Sequence, residues 1–98
     1  MASVRVTVGS PVGLHARPAA IFVRAVVDSD LPVTIAKIAD AEERPPTDAR
    51  SILGVLALDV GRGEEVELTA PGPGAERVLA GLAALLAGGD DAEVSRPN

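Results

Sequence analysis

The sequence contains no cysteine, tryptophan or tyrosine, and it has one phenylalanine and one histidine among its 98 residues. Without cysteine it can form neither disulfides nor thiolate metal sites, and a lone histidine argues against a zinc site. With Phe22 as the one aromatic residue, a nucleic-acid base has almost nothing on which to stack. Nine basic and fourteen acidic residues give a net charge of −5, which argues against general nucleic-acid binding. We therefore expect no metal, no cofactor and no nucleic-acid partner.

The chain also lacks any apolar run that approaches the length of a membrane-spanning helix, and the segment from Met1 to Arg5 has no signal-peptide hydrophobic region. Together with the missing cysteine, this predicts a soluble, cytoplasmic protein without membrane contact. The length is sufficient for one hydrophobic core. We expect a single domain over residues 1–89, a polar and flexible tail over residues 90–98, and a monomer.

The single histidine lies in the stretch GLHARPAA, which runs from Gly13 to Ala20. Pro18 fixes φ near the helical value and needs no donor, so it marks the first turn of a helix that begins beside His15. The N-terminus of a helix has unpaired N–H groups and a positive partial charge, and it stabilises anions. A neutral imidazole is a nucleophile, and Arg17 offers a guanidinium that matches phosphate oxygens. The stretch is a candidate phosphoryl-accepting site; a histidine that only caps the helix or lies on the surface is the alternative.

The distribution of charge agrees with a phosphate site. Residues 1–27 contain Arg5, Arg17 and Arg24 but no carboxylate, so every acidic residue lies from Asp28 onward. The histidine segment is therefore locally positive on an acidic protein, and a patch of this kind can hold a phosphate or attract an acidic partner.

Hydrophobic periodicity predicts strands over residues 4–8, 33–38 and 65–70, and helices over residues 17–27, 49–56 and 75–87. The apolar stripe of the first helix comprises Ala19, Phe22, Val23, Val26 and Val27. Between Asp40 and Asp48, the adjacent Pro45 and Pro46 cannot donate within a central strand, so this segment is a loop or an edge strand. Asp48 is the expected N-cap of the short second helix. Strands with one apolar face need cover on that face only, which predicts an α/β two-layer sandwich.

Two stretches resemble a known family. GLHARPA, from Gly13 to Ala19, resembles the phosphohistidine motif of the HPr family, the histidine-containing phosphocarriers of the phosphoenolpyruvate-dependent sugar phosphotransferase system. SILGVL, from Ser51 to Leu56, resembles the second, serine-centred signature of that family. The resemblance covers residues 3–87 and implies an open-faced sandwich. In that fold a four-stranded antiparallel sheet of order 1-4-2-3 is covered on one face by three helices, and the Pro45-Pro46 segment becomes an edge strand.

The resemblance also implies roles for individual residues. His15 accepts a phosphoryl group on Nδ1 from phosphorylated enzyme I and passes it to enzyme IIA, while Arg17 contacts the phosphate; the protein is then a carrier rather than a stand-alone enzyme. Ser51 matches the serine that an HPr kinase phosphorylates in part of the family, where the modified protein also acts through a transcriptional regulator. The partner-docking surface corresponds to Ala20, Ile52, Leu53 and Leu56. From the helical period alone, Leu53 points outward, whereas Ile52 and Leu56 fit the core equally well, and Ser51 fits a helix cap.

Two features depart from the family pattern. The segment from Ile38 to Asp48 is longer and richer in proline and acid than the family's, and Arg50 precedes Ser51 where the family often has lysine. Two other functions stay open. An HPr-like carrier of a nitrogen-type or dihydroxyacetone-kinase phosphorelay uses the same chemistry with different partners, and a non-catalytic regulatory module acting through Ser51 leaves His15 idle.

Overall fold

The computed structural model describes residues 1–89, and the tail predicted over residues 90–98 lies outside them. In chain order the elements are β1 (Ala2–Thr7), α1 (Ala16–Ser29), β2 (Thr34–Lys37), β3 (Thr47–Asp48), α2 (Ile52–Ala57), β4 (Glu65–Ala70) and α3 (Ala75–Ala84). A 3-10 helix, Ile38–Asp40, follows β2, and a π-helical turn, Leu85–Gly89, continues α3. None of the helices within residues 1–89 has the length and hydropathy needed to cross a membrane.

The four strands form one antiparallel sheet in the order β1-β4-β2-β3. Val4 and Val6 of β1 pair with Leu68 and Val66 of β4, and Ile35 of β2 also pairs with Leu68. Because side chains alternate along a strand, this register places these five apolar residues of the three strands on one face. The predicted open-faced sandwich is confirmed, with polar residues on the outer face of the sheet.

The edge strand β3 is much shorter than the segment from which it was predicted. Pro45 and Pro46 precede it rather than form part of it, and the two residues of β3 pair with Thr34 and Ile35. Proline lacks the N–H that a strand ladder needs, so pairing begins only after Pro46.

The core lies between the covered face of the sheet and the helices. Its fully or nearly fully buried members include Ala19, Phe22 and Val26 of α1, Val55 of α2, Leu79 and Leu82 of α3, and Leu86 beyond it. The prediction for Val27 is wrong, because its side chain is 48% exposed. At 3.6 residues per turn, Val27 lies about 80° around the helix from Ala19, outside the narrower stripe formed by the buried residues.

The prediction that Asp48 caps α2 is also wrong. Asp48 belongs to β3, and its Oδ1 accepts hydrogen bonds from the backbone N–H and the Nε of Arg50, at 2.9 and 3.0 Å. The N-cap is Ser51, whose backbone is extended and whose Oγ accepts from the N–H of Gly54 at 3.1 Å. Both side chains are good cap formers, and the Asp48 carboxylate is already occupied by Arg50.

Candidate functional site

His15 is the residue that precedes the first turn of α1. Its backbone is extended, with φ −135° and ψ 172°, and its carbonyl accepts the first helical hydrogen bond, from Ala19 N–H at 3.3 Å. The imidazole makes no capping hydrogen bond. The N–H groups of Ala16 and Arg17 have no acceptor within the helix, and Pro18 has no N–H, so the end of α1 is open to an anion. The imidazole is therefore free for another role.

The segment before His15 packs against the backbone of the loop around Val60. The Leu14 N–H donates to the Val60 carbonyl at 2.9 Å, and the Leu14 side chain is completely buried. Gly13 has a φ of +72°, and a Cβ built on it would lie 2.5 Å from the Val60 carbonyl oxygen. A left-handed backbone and a close backbone approach both require glycine here. The loop that presents His15 is thus held in one position by Leu14 and Gly13.

Ala16, between His15 and Arg17, has a φ of +49°. A non-glycine residue in this region costs of order 1–3 kcal/mol, and such residues concentrate at functional sites. The surrounding contacts of Leu14 and of α1 hold the strained conformation in place. The strained residue thus lies at the start of α1, where the backbone sets the orientation of the His15 imidazole relative to the helix N-terminus.

The His15 ring has an ion-pair contact with Asp59, a residue that the sequence analysis did not identify as part of the site. Nε2 of His15 lies 3.4 Å from Oδ1 of Asp59, and the histidine side chain is 37% exposed. Asp59 lies in the loop between α2 and β4 and has a φ of +55°. No local sequence signal joins the two positions, because Asp59 reaches His15 only after the chain has folded.

Contacts from Lys37 of β2 and from Glu64, in the same α2–β4 loop, fix the segment around Asp59. Lys37 Nζ donates to the Asp59 carbonyl at 3.0 Å and lies 3.3 Å from Oε1 of Glu64. The same Glu64 oxygen accepts from the Gly61 N–H at 2.8 Å. These contacts, the Gly61 hydrogen bond foremost, hold the pKa of the Glu64 carboxyl below its ordinary value.

Arg17 lies on the first turn of α1 beside His15, and its side chain is exposed. The ion pairs formed among residues 1–89 do not include it. A guanidinium without a carboxylate partner is available to phosphate oxygens, which it can contact through two parallel N–H groups. The first turn therefore combines a nucleophile, two backbone donors and a cation that pairs with no carboxylate of residues 1–89.

The predicted residues around Ser51 lie at the start of α2, which packs against α1. Ser51 is exposed and acts as the cap already described, and the guanidinium of Arg50 binds both oxygens of Asp48, each at 3.0 Å. This side-chain hydrogen bonding lowers the pKa of the Asp48 carboxyl and raises that of Arg50. Arg50 is thus turned toward Asp48. Among residues 1–89, no hydrogen bond or ion pair joins Ser51 to His15 or Arg17.

The predicted docking residues differ in exposure. Leu53 is 77% exposed, as its helical position predicts, and Ile52 and Ala20 are also exposed. Leu56 is only partly exposed and packs against the core. The packing of α1 on α2 makes Ala20, Ile52 and Leu53 members of neighbouring helices. Apolar side chains exposed beside a polar site are typical of a partner-binding surface.

Within the part of the chain that the structure describes, no group of three or more histidine, aspartate or glutamate side chains is arranged to hold a metal ion.

Comparison with known proteins places this arrangement in context. Residues 2–88 match the family described as "PTS HPr component phosphorylation site". The phosphocarrier protein HPr of Streptomyces coelicolor is 52% identical over 89 residues, which cover 91% of each chain. The phosphocarrier protein NPr of Escherichia coli is 31% identical over 86 residues, which cover 88% of this chain and 91% of that protein. The crystal structure of HPr from Bacillus anthracis superimposes with a TM-score of 0.77 at 34% identity, over 87% of this chain and 95% of that one.

Proposed function

The chain belongs to the HPr family of the phosphotransferase system, and on that basis we propose that it accepts a phosphoryl group on His15 and passes it to a second protein. One observation carries the assignment to His15. The only imidazole of the sequence lies at the open N-terminus of α1, partly exposed and without a capping role. A phosphoryl group placed there meets unpaired N–H groups and the positive end of the helix.

Each group of the first turn has a distinct part in this proposal. Membership of the HPr family assigns the attack on phosphorus to the lone pair of His15 Nδ1, while the other ring nitrogen, Nε2, faces Asp59. Arg17 and the N–H groups of Ala16 and Arg17 compensate the charge that the phosphoryl group brings. A carrier needs little more than a correctly aimed nucleophile and charge compensation.

We propose enzyme I as the donor and an enzyme IIA domain as the acceptor, with docking through Ala20, Ile52, Leu53 and Leu56. The exposed Leu53 supplies apolar area next to the site, while Arg17 supplies a positive charge for an acidic partner surface. Both partners must approach the same imidazole, so they bind in turn. This assignment places the carrier in the cytoplasm, in keeping with a sequence that has no cysteine to oxidise.

We propose Ser51 as a regulatory phosphorylation site for an HPr kinase, and a transcriptional regulator as the partner that binds the modified protein. Its side chain is exposed at the start of α2, where a negative charge is stabilised by the helix N-terminus. The fold therefore tolerates the modification. Its effect falls on docking, since the new charge lies beside the exposed Leu53.

The decisive experiment compares the wild-type protein with His15→Ala, incubated with purified enzyme I and labelled phosphoenolpyruvate. Because the sequence has one histidine, this substitution removes every imidazole from the carrier while leaving the buried core intact. We expect acid-labile labelling of the wild type only, with equal thermal unfolding of the two proteins. Labelling of the His15→Ala protein contradicts the assignment. Absence of labelling in both, with a transcriptional regulator still bound, favours a regulatory module acting through Ser51.

A nitrogen-type phosphorelay is the second candidate, favoured by the similarity to NPr. It uses the same residues and differs only in the donor and the acceptor. Labelling rates with enzyme I and with its nitrogen-type counterpart, measured side by side, separate the two. A much higher kcat/KM with the nitrogen-type donor assigns the chain to that relay.

A further inference from the structure

We propose that Asp59 is a positioning residue for His15, whose carboxylate keeps the ring proton on Nε2 and so leaves the lone pair on Nδ1 for the phosphoryl group. The inference deepens the proposed function and rests on it. The observation behind it is the 3.4 Å contact between His15 Nε2 and Asp59 Oδ1. At this separation the pair makes an electrostatic contact rather than a hydrogen bond, and the facing oxygen, which carries negative charge and no proton, favours the ring form with a proton on Nε2.

The backbone of Asp59 indicates that its location is imposed by the fold. Its φ is +55°, which is unfavourable for a residue with a Cβ, although aspartate tolerates it better than most residues. Two hydrogen bonds fix the residue from opposite sides. Its N–H donates to the Leu56 carbonyl at 3.1 Å, and its own carbonyl accepts from Lys37 Nζ at 3.0 Å.

The partner ring is equally constrained. The Leu14 N–H donates to the Val60 carbonyl at 2.9 Å, so the residue before His15 is joined to the residue after Asp59. This bond sets the distance between the backbone at His15 and the backbone at Asp59, and the two side chains extend toward each other across that distance. The backbone hydrogen bond between Leu14 and Val60 thus brings the His15 imidazole and the Asp59 carboxylate to face one another.

The position of the proton matters for transfer in both directions. On acceptance, the Nδ1 lone pair forms the bond to phosphorus, the bond from phosphorus to the donor breaks, and that electron pair leaves with the donor. The proton stays on Nε2, so the phosphorylated ring is cationic and its charge faces the Asp59 carboxylate. On transfer, a lone pair of the acceptor's nucleophile forms the new bond to phosphorus while the Nδ1–phosphorus bond breaks. The electron pair of the broken bond returns to Nδ1, and the ring is again neutral with its proton on Nε2.

Ring-nitrogen NMR tests the proposal without phosphorylation. The proteins are labelled with ¹⁵N in histidine, and the proton position is read at a pH where the ring is neutral. We compare the wild type with Asp59→Asn, which keeps a side-chain acceptor and tolerates the positive φ, and with Asp59→Gly, which removes the acceptor and relieves the backbone. Neither change introduces a conformation that the loop disfavours.

We expect one Nε2–H tautomer in the wild type and in Asp59→Asn, and a mixture in Asp59→Gly. The rate of phosphoryl acceptance should fall about two- to threefold in Asp59→Gly and recover in Asp59→Asn, a modest effect because the Asp59 side chain is 86% exposed. The same tautomer ratio in all three proteins overturns the proposal. It is also overturned if Asp59→Asn keeps the wild-type tautomer but loses as much rate as Asp59→Gly, because charge rather than proton position is then responsible.

The NMR readout also separates this proposal from the proposed function. A protein that fails to accept phosphate from any donor still reports its ring tautomer, so loss of the carrier assignment leaves the role of Asp59 independently measured. Conversely, normal labelling of His15 with no change of tautomer in Asp59→Gly removes Asp59 and leaves the carrier assignment intact.

Discussion

Substitution of Gly13 by alanine should damage both the stability of the fold and the presentation of His15. Gly13 has a φ of +72°, and the added Cβ would lie 2.5 Å from the Val60 carbonyl oxygen and 2.8 Å from the Cα of Gly61. Both neighbours are backbone atoms, which cannot rotate away as a flexible side chain can. The clash therefore pushes the segment before His15 away from the Val60 carbonyl.

Two terms set the size of the effect. An alanine held at positive φ costs about 1–2 kcal/mol, and a methyl group forced into a packed backbone contact costs about 1–3 kcal/mol. The sum for Gly13→Ala is about 2–5 kcal/mol of unfolding free energy. Gly72 provides a matched control, because its φ is +93° and a Cβ on it would meet no atom within 4 Å. Gly72→Ala carries the backbone cost alone, so any excess at Gly13 measures the crowding.

Urea denaturation of the three proteins, followed by circular dichroism, gives the free energies, and labelling from enzyme I gives the rate of acceptance. We expect Gly13→Ala to lose about 1–3 kcal/mol more than Gly72→Ala, and to accept phosphate more slowly under conditions in which it is fully folded. Gly72→Ala should accept phosphate at the wild-type rate. Equal destabilisation by the two substitutions would refute the inference that the Val60 contact holds the histidine loop.

Arg17→Ala should slow both half-reactions about ten- to a hundredfold without preventing them, because the helix N–H groups still contact the phosphate; unchanged rates would exclude the assigned role. Ser51→Asp should unfold like the wild type, because aspartate can also cap α2, yet accept phosphate several-fold more slowly, through weaker binding of enzyme I that a titration of initial rates detects. Glu64→Gln tests the lowered pKa of that carboxyl. The stabilisation that ionised Glu64 gives to the fold is complete above the ordinary pKa of the carboxyl and is lost as the pH falls through the lowered pKa. The Glu64→Gln protein should therefore be less stable than the wild type at neutral pH. Urea midpoints measured across pH should also show that acid destabilises it less.

The elements with a clear periodicity could be predicted closely. β4 occupies residues 65–70, as predicted, because Val66 and Leu68 alternate with exposed or half-exposed residues and Pro71 follows at once. The start of α1 beside His15 was also predictable, since Pro18 restricts the local backbone. These features depend on a few neighbouring residues, and a sequence displays them directly.

Features that depend on competition between residues were harder to predict. Asp48 and Ser51 are both good caps three positions apart, and the outcome was decided by the hydrogen bonds between Asp48 and Arg50. The contact of His15 with Asp59 was not predictable either, because it joins a helix start to a loop that precedes the last strand. Only the tertiary fold brings those two segments together.

The strand order has a consequence for how the chain is assembled during synthesis. β4 lies between β1 and β2 in the sheet, although within residues 1–89 it is the last strand to be made. Until residue 70 has left the ribosome, β1 has no neighbouring strand and β2 has only the two-residue β3. The sheet therefore cannot form by adding each strand beside the previous one in chain order. Until β4 inserts between them, the facing edges of β1 and β2 stay unpaired, and unpaired strand edges favour association with other chains.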